Sequence, residues 1–152
     1  MAAGINMYKV LRVDSVAALK SPVLCERAKR AHGGRSQEFI MMVNGREAGL
    51  LSYEDWNHQS VGFIYEIFVL PEFRQQSIGA MLLSYAETHA LQLRCAYIRL
   101  KPYPLDQETD SGRLIAWYTK NGYFQMSDEP EILQKTLLTI QNQQMPKIVR
   151  LV

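Results

Sequence analysis

Apolar positions divide the first half of the chain into strand-like runs. These runs predict four strands, at residues 7–13, 39–43, 47–51 and 61–69. Asn44-Gly45 separates the second run from the third, and this dipeptide favours a two-residue hairpin because both residues accept a positive φ. A polar loop at 54–60 precedes the fourth run, so the pattern predicts an antiparallel meander.

Apolar residues at every third or fourth position predict helices elsewhere, at 15–20, 22–32, 81–91, 111–120 and 129–143. Asp14 or Ser15 can cap the first helix, and Ser21 can cap the second with Pro22 as its first residue. The last helix depends on the apolar spacing between Ile132 and Ile140. Further strands are predicted at 96–100, 123–126 and 147–152.

A polar turn lies between the strand at 61–69 and the helix at 81–91. The strand, helix and following strand have the lengths of a parallel crossover unit, which is right-handed in nearly all proteins. The turn contains Arg74 and Gly79 and runs into the helix N-terminus. Backbone N–H groups without intrahelical partners and the helix dipole make such an end suitable for an anion.

Composition is that of an ordinary globular protein. The chain has 152 residues, of which 47% are hydrophobic and 21% charged, and this predicts one domain over residues 1–152. No apolar run approaches the ~18 residues of a membrane span, and residues 1–7 do not have the form of a signal peptide. We therefore expect no membrane partner. Cys25 and Cys95 have no partner spacing for zinc or a disulfide, so we also expect a cytoplasmic protein without a metal.

Charge is distributed unevenly along the chain. Residues 1–36 contain seven Lys or Arg and two acids, whereas residues 37–72 contain one Arg and six acids. The acidic stretch is either a set of solvated strand ends or a field that attracts a cationic acceptor such as an amine. The basic residues around the second helix form either a solvated face or a phosphate contact, and the lack of interleaved aromatic residues argues against nucleic acid.

Residues 69–83 carry the first of two motifs. They read V-L-P-E-F-R-Q-Q-S-I-G-A-M-L-L and resemble the acyl-CoA signature of the GNAT N-acetyltransferase superfamily, V-x-P-x-[YF]-R-x-x-G-x-G-x-x-L-[LM]. The matching residues are Val69, Pro71, Phe73, Arg74, Gly79 and Leu82. Ser77 stands where the family usually has its first glycine.

Residues 111–124 carry the second motif. They are similar to the family's N-x-x-A-x-x-[LF]-Y-x-K-x-G-[FY], with similar residues at Ala116, Tyr118, Lys120, Gly122 and Tyr123. Ser111 replaces the usual Asn, and Leu114 replaces a small residue. Two motifs in the family's order give a stronger resemblance than either motif alone.

The resemblance implies an α/β (α+β) fold with a mixed central sheet, an antiparallel N-terminal meander, a parallel βαβ crossover and flanking helices. The family ends with two antiparallel strands, so the helix at 129–143 would be an insertion. The implied reaction is acetyl transfer from acetyl-CoA to an amine. The resemblance places coenzyme A against Ile67, Phe68, Val69, Arg74, Gln75, Gln76, Ser77, Ile78, Gly79, Ala80, Ser111 and Tyr118.

Direct attack of the amine on the thioester fits the sequence, because no Cys or Ser has the context of a covalent nucleophile. An alkylamine with a pKa near ~10.4 must lose a proton first. Glu66, in the centre of an apolar strand, is the predicted base, unless it pairs with a cation or only orients the substrate. Tyr65 and Glu54 are weaker candidates.

Tyr118 is the predicted general acid, because the motif places it near the departing sulfur and a phenol has a pKa near ~10. The alternative is a core aromatic residue beside Trp117.

Three functions remain open at this stage. The first is acetylation of a small-molecule or peptide amine, the second is acyl-CoA binding without turnover, and the third is acetylation of a macromolecule such as a protein or an aminoacyl-RNA. The acceptor is expected to contact the two N-terminal helices and the loops at 54–60 and 101–110, and none of these segments carries a readable motif. The sequence also leaves open whether the protein forms a homodimer.

Overall fold

The computed structural model describes residues 5–31, 35–102 and 111–137. Strands in these ranges are β1 (Tyr8–Arg12), β2 (Ser36–Val43), β3 (Arg46–Trp56), β4 (Val61–Val69), β5 (Tyr97–Leu100), β6 (Phe124–Gln125) and β7 (Leu133–Thr136). The α-helices in these ranges are α1 (Pro22–Ala31), α2 (Ile78–Gln92) and α3 (Ser111–Lys120).

The strands form one mixed sheet in the order β1-β2-β3-β4-β5-β7-β6. Antiparallel pairs make up most of the sheet, together with one parallel pair, and the helices flank it. Helix α2 connects the neighbouring strands β4 and β5 along the chain. The predicted fold class is therefore confirmed.

Two compact units are distinguished in the chain, residues 1–54 with 64–86 and residues 55–63 with 87–152. In the first unit, Asn44 and Gly45 have φ of 50° and 81°, as the predicted hairpin requires. The Asn44 side chain accepts a hydrogen bond from the Met7 N–H at 2.8 Å, and the Asn44 N–H donates to the Met7 carbonyl at 2.9 Å. The turn residue thus also anchors the chain at the start of β1.

Helix α1 begins where the sequence predicted. The Leu24 N–H donates to Ser21 Oγ at 3.2 Å, and Pro22 is the first helical residue. The preceding segment forms only a 3₁₀ turn at Val16–Ala18, without a side-chain cap from Ser15, so the helix predicted at 15–20 is wrong in type and length. Residue 32, the predicted end of α1, lies outside the described residues.

Helix α1 and helix α2 contribute buried residues to the core of the first unit. Leu24, Ala28 and Ala31 of α1 recur at helical spacing and are buried. The Tyr85 ring of α2 packs against Phe39 of β2, with ring centroids 5.1 Å apart. The buried positions of α1 and the position of Tyr85 on α2 follow the apolar periodicity of the sequence.

In the second unit, β7 replaces part of the helix predicted at 129–143. Leu133–Thr136 pairs antiparallel with β5, with Leu100 opposite Leu133 and Tyr97 opposite Thr136. The Leu137 N–H then donates to the Ala96 carbonyl at 2.8 Å. The helical spacing was misleading because pairing with the edge of β5 supplies the backbone hydrogen bonds that outweigh a weak local preference.

The remaining differences concern boundaries. β3 continues to Trp56 and is followed by a 3₁₀ turn at Asn57–Gln59, so the predicted loop at 54–60 is shorter than expected. Strands β6 and β7 are the two antiparallel strands, with Phe124 opposite Gln134, and no helix separates them. The predicted strand at 147–152 and residues 138–143 of the predicted helix lie outside the described residues.

Candidate active site

The turn that precedes α2 has an unusual backbone conformation. Gln75 and Ser77 have φ of 66° and 65°, in the left-handed region that non-glycine residues rarely adopt, whereas Gln76 between them does not. Backbone that alternates in this way can direct successive N–H groups toward a common point and form an anion-binding concavity. The sequence predicted the turn but not this conformation.

The turn leads directly into the first turn of α2. The first helical hydrogen bond runs from the Met81 N–H to the Ser77 carbonyl at 3.0 Å. The N–H groups of Ile78, Gly79 and Ala80 therefore precede the i to i−4 pattern of the helix. They belong to the backbone from Gln75 to Ala80, which is predicted to bind the coenzyme A pyrophosphate.

Arg74 ties the turn to the end of β4. Its Nε donates to the Val69 carbonyl at 2.8 Å, and its guanidinium carbon lies 5.3 Å from the centroid of the Phe68 ring. The Arg74 N–H also donates to the Pro71 carbonyl at 3.2 Å. Arg74 thus supplies positive charge next to the turn while its Nε fixes the backbone; its contact with coenzyme A remains a prediction.

We expect Ser77→Gly to stabilise the protein by about 0.5–1 kcal/mol. A residue with a Cβ in the left-handed conformation costs the folded state roughly 1–2 kcal/mol. Glycine removes this cost, but it also gives the unfolded chain more conformational entropy, which lowers the stability by roughly 0.5–1 kcal/mol. Urea unfolding measures the change. Ser84→Gly is the matched control because Ser84 is exposed on α2 without a positive φ, and it should destabilise. Equal destabilisation by both variants would contradict the strain at Ser77.

Glu66 of β4 is engaged with a cation. Its Oε2 accepts a hydrogen bond from Arg27 Nη1 at 2.8 Å, and the two side chains are only 8% and 13% exposed. Arg27 also lies over the Phe68 ring, with its guanidinium carbon 3.8 Å from the centroid. The structure therefore contains the cation pair that the sequence offered as an alternative role for Glu66. The role of Glu66 as a base remains a prediction.

Other acids of the acidic stretch contact the basic N-terminal third. Glu47 accepts hydrogen bonds from the backbone N–H groups of Lys20 and Ser21 at 2.7–3.0 Å, next to the start of α1. Glu54 pairs with Arg35 at 3.0 Å. The uneven charge along the sequence thus includes partners that meet in the fold. Glu47 and Glu54 are therefore bonded within the protein, and the attraction of a cationic acceptor by the acidic stretch stays a prediction.

Tyr118 lies on α3 in the second unit. Its side chain is buried, with its ring centroid 4.8 Å from Trp117 and 5.7 Å from Tyr123. Burial raises the pKa of the Tyr118 phenol above its ordinary range, so the hydroxyl stays protonated at neutral pH. Within the part of the chain that the structure describes, this hydroxyl has no hydrogen-bond partner.

The other predicted contacts divide between the two units. Ile67, Phe68 and Val69 form the end of β4, beside Glu66 and Arg74 in the first unit. Ser111 is the exposed first residue of α3 in the second unit. Tyr65, a weaker base candidate, is 46% exposed. The first unit therefore brings together most of the residues assigned to coenzyme A.

Arg27 and Glu87 were not singled out from the sequence. Arg27 belongs to a run of basic residues in the sequence. The only sequence signal for its partner was Glu66, the single acid in the apolar strand at 61–69. Glu87 follows Leu83 by one helical turn on α2 and is only partly exposed. Its Oε2 accepts from the Tyr123 hydroxyl at 2.8 Å. The sequence signal that could have indicated Glu87 is an acidic residue among the apolar positions of the predicted helix.

Comparison with known proteins identifies the family. The chain belongs to the acetyltransferase (GNAT) family, whose sequence model matches residues 6–123. This range includes the first motif and residues 111–123 of the second. A search of curated proteins finds no match.

Several solved structures share the fold. The ribosomal-protein-S18-alanine N-acetyltransferase of Escherichia coli is 16% identical, with a TM-score of 0.63 over 88% of this chain and 96% of that one. The PaiA N-acetyltransferase of Thermoplasma acidophilum, in complex with coenzyme A, is 17% identical, with a TM-score of 0.54 over 74% and 66%. Tetrahymena GCN5 is 10% identical, with a TM-score of 0.58 over 75% and 76%. At these identities the likeness establishes the fold alone.

In 5–31, 35–102 and 111–137, no three His, Cys, Asp or Glu side chains are grouped as metal ligands. No helix in those ranges has the length and apolar character needed to cross a membrane.

Proposed function

We propose that this protein is an acetyl-CoA-dependent N-acetyltransferase that acts on a primary amine. The observation that carries the proposal is the turn at Gln75–Ser77, where two left-handed residues lead into the N-terminus of α2 inside the family match. Such a turn suits the pyrophosphate of coenzyme A. We also propose that residues 1–152 form a single acetyltransferase domain, located in the cytoplasm.

The proposed reaction is direct attack of the neutral amine on the thioester carbonyl. The C–N bond forms as the C–S bond breaks, the amine proton leaves to a base or to water, and the thiolate of coenzyme A takes a proton. Tyr118 is the proposed donor of that proton, since its phenol remains protonated at neutral pH. Glu66 is proposed to accept the amine proton, directly or through water.

The acceptor class is proposed only as far as an amine. One structural neighbour carries the name of an alanine acetyltransferase of a ribosomal protein, and another that of a nourseothricin acetyltransferase. The proposal therefore includes both small-molecule and peptide acceptors, and the substrate panel should contain both.

The test is acetyl-CoA turnover with a panel of diamines, aminoglycosides, lysine peptides and free N-terminal peptides. Release of the free thiol, with the acetylated product identified by mass spectrometry, is the expected result for some amines and for no hydroxyl-only compound. Tight coenzyme A binding without thiol release on any acceptor would favour an acyl-CoA-binding module. Preference for a hydroxyl or anionic acceptor would overturn the amine assignment.

If Glu66 is the base, Glu66→Gln should lower kcat/KM for amines by about 10²-fold, as general-base contributions typically do. It should also move the rising alkaline limb of the pH profile to higher pH, because the proton acceptor is lost. The measurement is a pH–rate profile with a responsive amine from the panel.

Arg27→Gln is the matched control, because it breaks the same ion pair and leaves the carboxylate in place. Both variants leave a partly buried charge without its partner, which costs several kcal/mol for a buried pair and less with partial exposure. Both should therefore lose stability, but only Glu66→Gln should move the rising limb to higher pH. Profiles that superimpose on that of the wild type would remove Glu66 from the mechanism.

A further inference from the structure

Three charged and polar side chains meet in the second unit, outside the residues assigned to coenzyme A. The Tyr123 hydroxyl donates to Glu87 Oε2 at 2.8 Å, and Lys135 Nζ donates to both carboxylate oxygens of Glu87 at 3.2 Å. We name Glu87, Tyr123 and Lys135 the Glu87 cluster. Its members come from α2, from the segment after α3 and from β7.

The Glu87 cluster holds Tyr123 firmly. The Tyr123 side chain is fully buried, while those of Glu87 and Lys135 are 19% and 31% exposed. A hydrogen bond from a neutral phenol to a carboxylate is charge-assisted and stronger than a neutral one. Burial, with Glu87 nearby, raises the pKa of Tyr123 above its ordinary range, so the phenol keeps the proton it donates.

The backbone before Tyr123 fits the same cluster. Gly122 has φ of 98°, a conformation that favours glycine. A Cβ at this position would lie 3.2 Å from Lys135 Cε. The turn after α3 therefore comes close to the Lys135 side chain, and a larger residue would strain the backbone and crowd that side chain.

Tyr123 in turn contacts Tyr118. The two ring centroids are 5.7 Å apart with an interplanar angle of 73°, an edge-to-face contact. The Tyr123 N–H donates to the Tyr118 carbonyl at 3.1 Å. The hydroxyl extends from the Tyr118 ring, so the contacts of that ring with Tyr123 and Trp117 help to set where it lies.

We propose that the Glu87 cluster positions Tyr118 for proton donation to the departing thiolate. Glu87, Tyr123 and Lys135 are positioning residues, because they act through the Tyr118 ring and do not contact the reacting atoms. This inference rests on the proposed role of Tyr118. A small displacement of a group that must meet a reacting atom can lower a rate by up to ~10²-fold.

The test combines Tyr123→Phe with Tyr118→Phe. Tyr123→Phe keeps the buried ring and removes the hydrogen bond to Glu87, and we expect kcat to fall about tenfold while KM for acetyl-CoA stays within about twofold. In the Tyr118→Phe background, Tyr123→Phe should cause no further fall, because no proton donor remains to be positioned. All rates are measured below the onset of unfolding of each variant.

Glu87→Ala and Glu87→Gln provide the rescue arm. Glu87→Ala should lower kcat about as much as Tyr123→Phe, whereas Glu87→Gln keeps an oxygen that accepts from Tyr123 and should recover most of kcat. Tyr97→Phe is the control, because Tyr97 lies on β5, is exposed and has no part in the proposed machinery.

The outcomes separate the inference from the proposed function. If Tyr118→Phe lowers kcat but Tyr123→Phe lowers it by the same factor in both backgrounds, the effect of the cluster does not pass through Tyr118 and the inference is overturned. If Tyr118→Phe leaves a rate-limiting chemical step unchanged, the proposed role of Tyr118 fails, and the inference fails with it.

Discussion

Gly79→Asp is expected to abolish coenzyme A binding. Gly79 is the second residue of α2, in the turn whose N–H groups precede the helical pattern. A carboxylate about 4 Å from a phosphate charge costs about 4 kcal/mol at an effective dielectric constant of 20, which weakens Kd by about 10³-fold. A ligand at 100 times its Kd raises stability by about 2.7 kcal/mol. The rise in Tm on adding coenzyme A should therefore disappear.

The substitution should not unfold the protein, which makes the result interpretable. An acidic side chain in the first turn of a helix interacts favourably with the helix dipole, by about 0.3–1 kcal/mol. The Tm of Gly79→Asp without ligand should therefore equal or slightly exceed that of the wild type. Ser84→Asp adds the same charge to an exposed position on α2 and should keep the coenzyme A response. An unchanged Kd in Gly79→Asp would place the cofactor elsewhere.

Tyr118→Phe is expected to lower kcat by roughly 10²-fold or more, in line with general-acid contributions. The ring and its contacts with Trp117 and Tyr123 stay in place, so the Kd for coenzyme A should change little. Stopped-flow acetyl transfer measures the chemical step directly. Tyr97→Phe again serves as the control, because it removes an exposed phenol from the same unit.

The raised pKa of Tyr118 bears on this prediction. Burial disfavours the phenolate, and a phenol that is harder to ionise is a weaker acid. Tyr118 therefore keeps its proton to a higher pH than an exposed phenol would. The activity should then persist above the ordinary phenol pKa. A full rate for Tyr118→Phe in a rate-limiting chemical step would reduce Tyr118 to a packing residue.

Local signals determined much of the fold from the sequence alone. The hairpin at Asn44-Gly45, the start of α1 at Ser21-Pro22 and the limits of β4 all follow from neighbouring residues. In each case the physical cause is local, because a turn conformation, a capping hydrogen bond or an apolar run involves residues close together in the chain. Each of the two motifs is also a contiguous segment, and the family match covers the first motif and residues 111–123 of the second.

Tertiary structure decided what depended on distant partners. Leu133–Thr136 is a strand because β5 offers an edge to pair with, although its apolar spacing also fits a helix. Glu66 pairs with Arg27, which is 39 residues away, and Glu87 joins Tyr123 and Lys135 from two later segments. The spacing of residues along the chain does not specify which distant group will pair with a buried charge or with an open strand edge. Those pairings are set by the free energy of packing and hydrogen bonding in the folded chain.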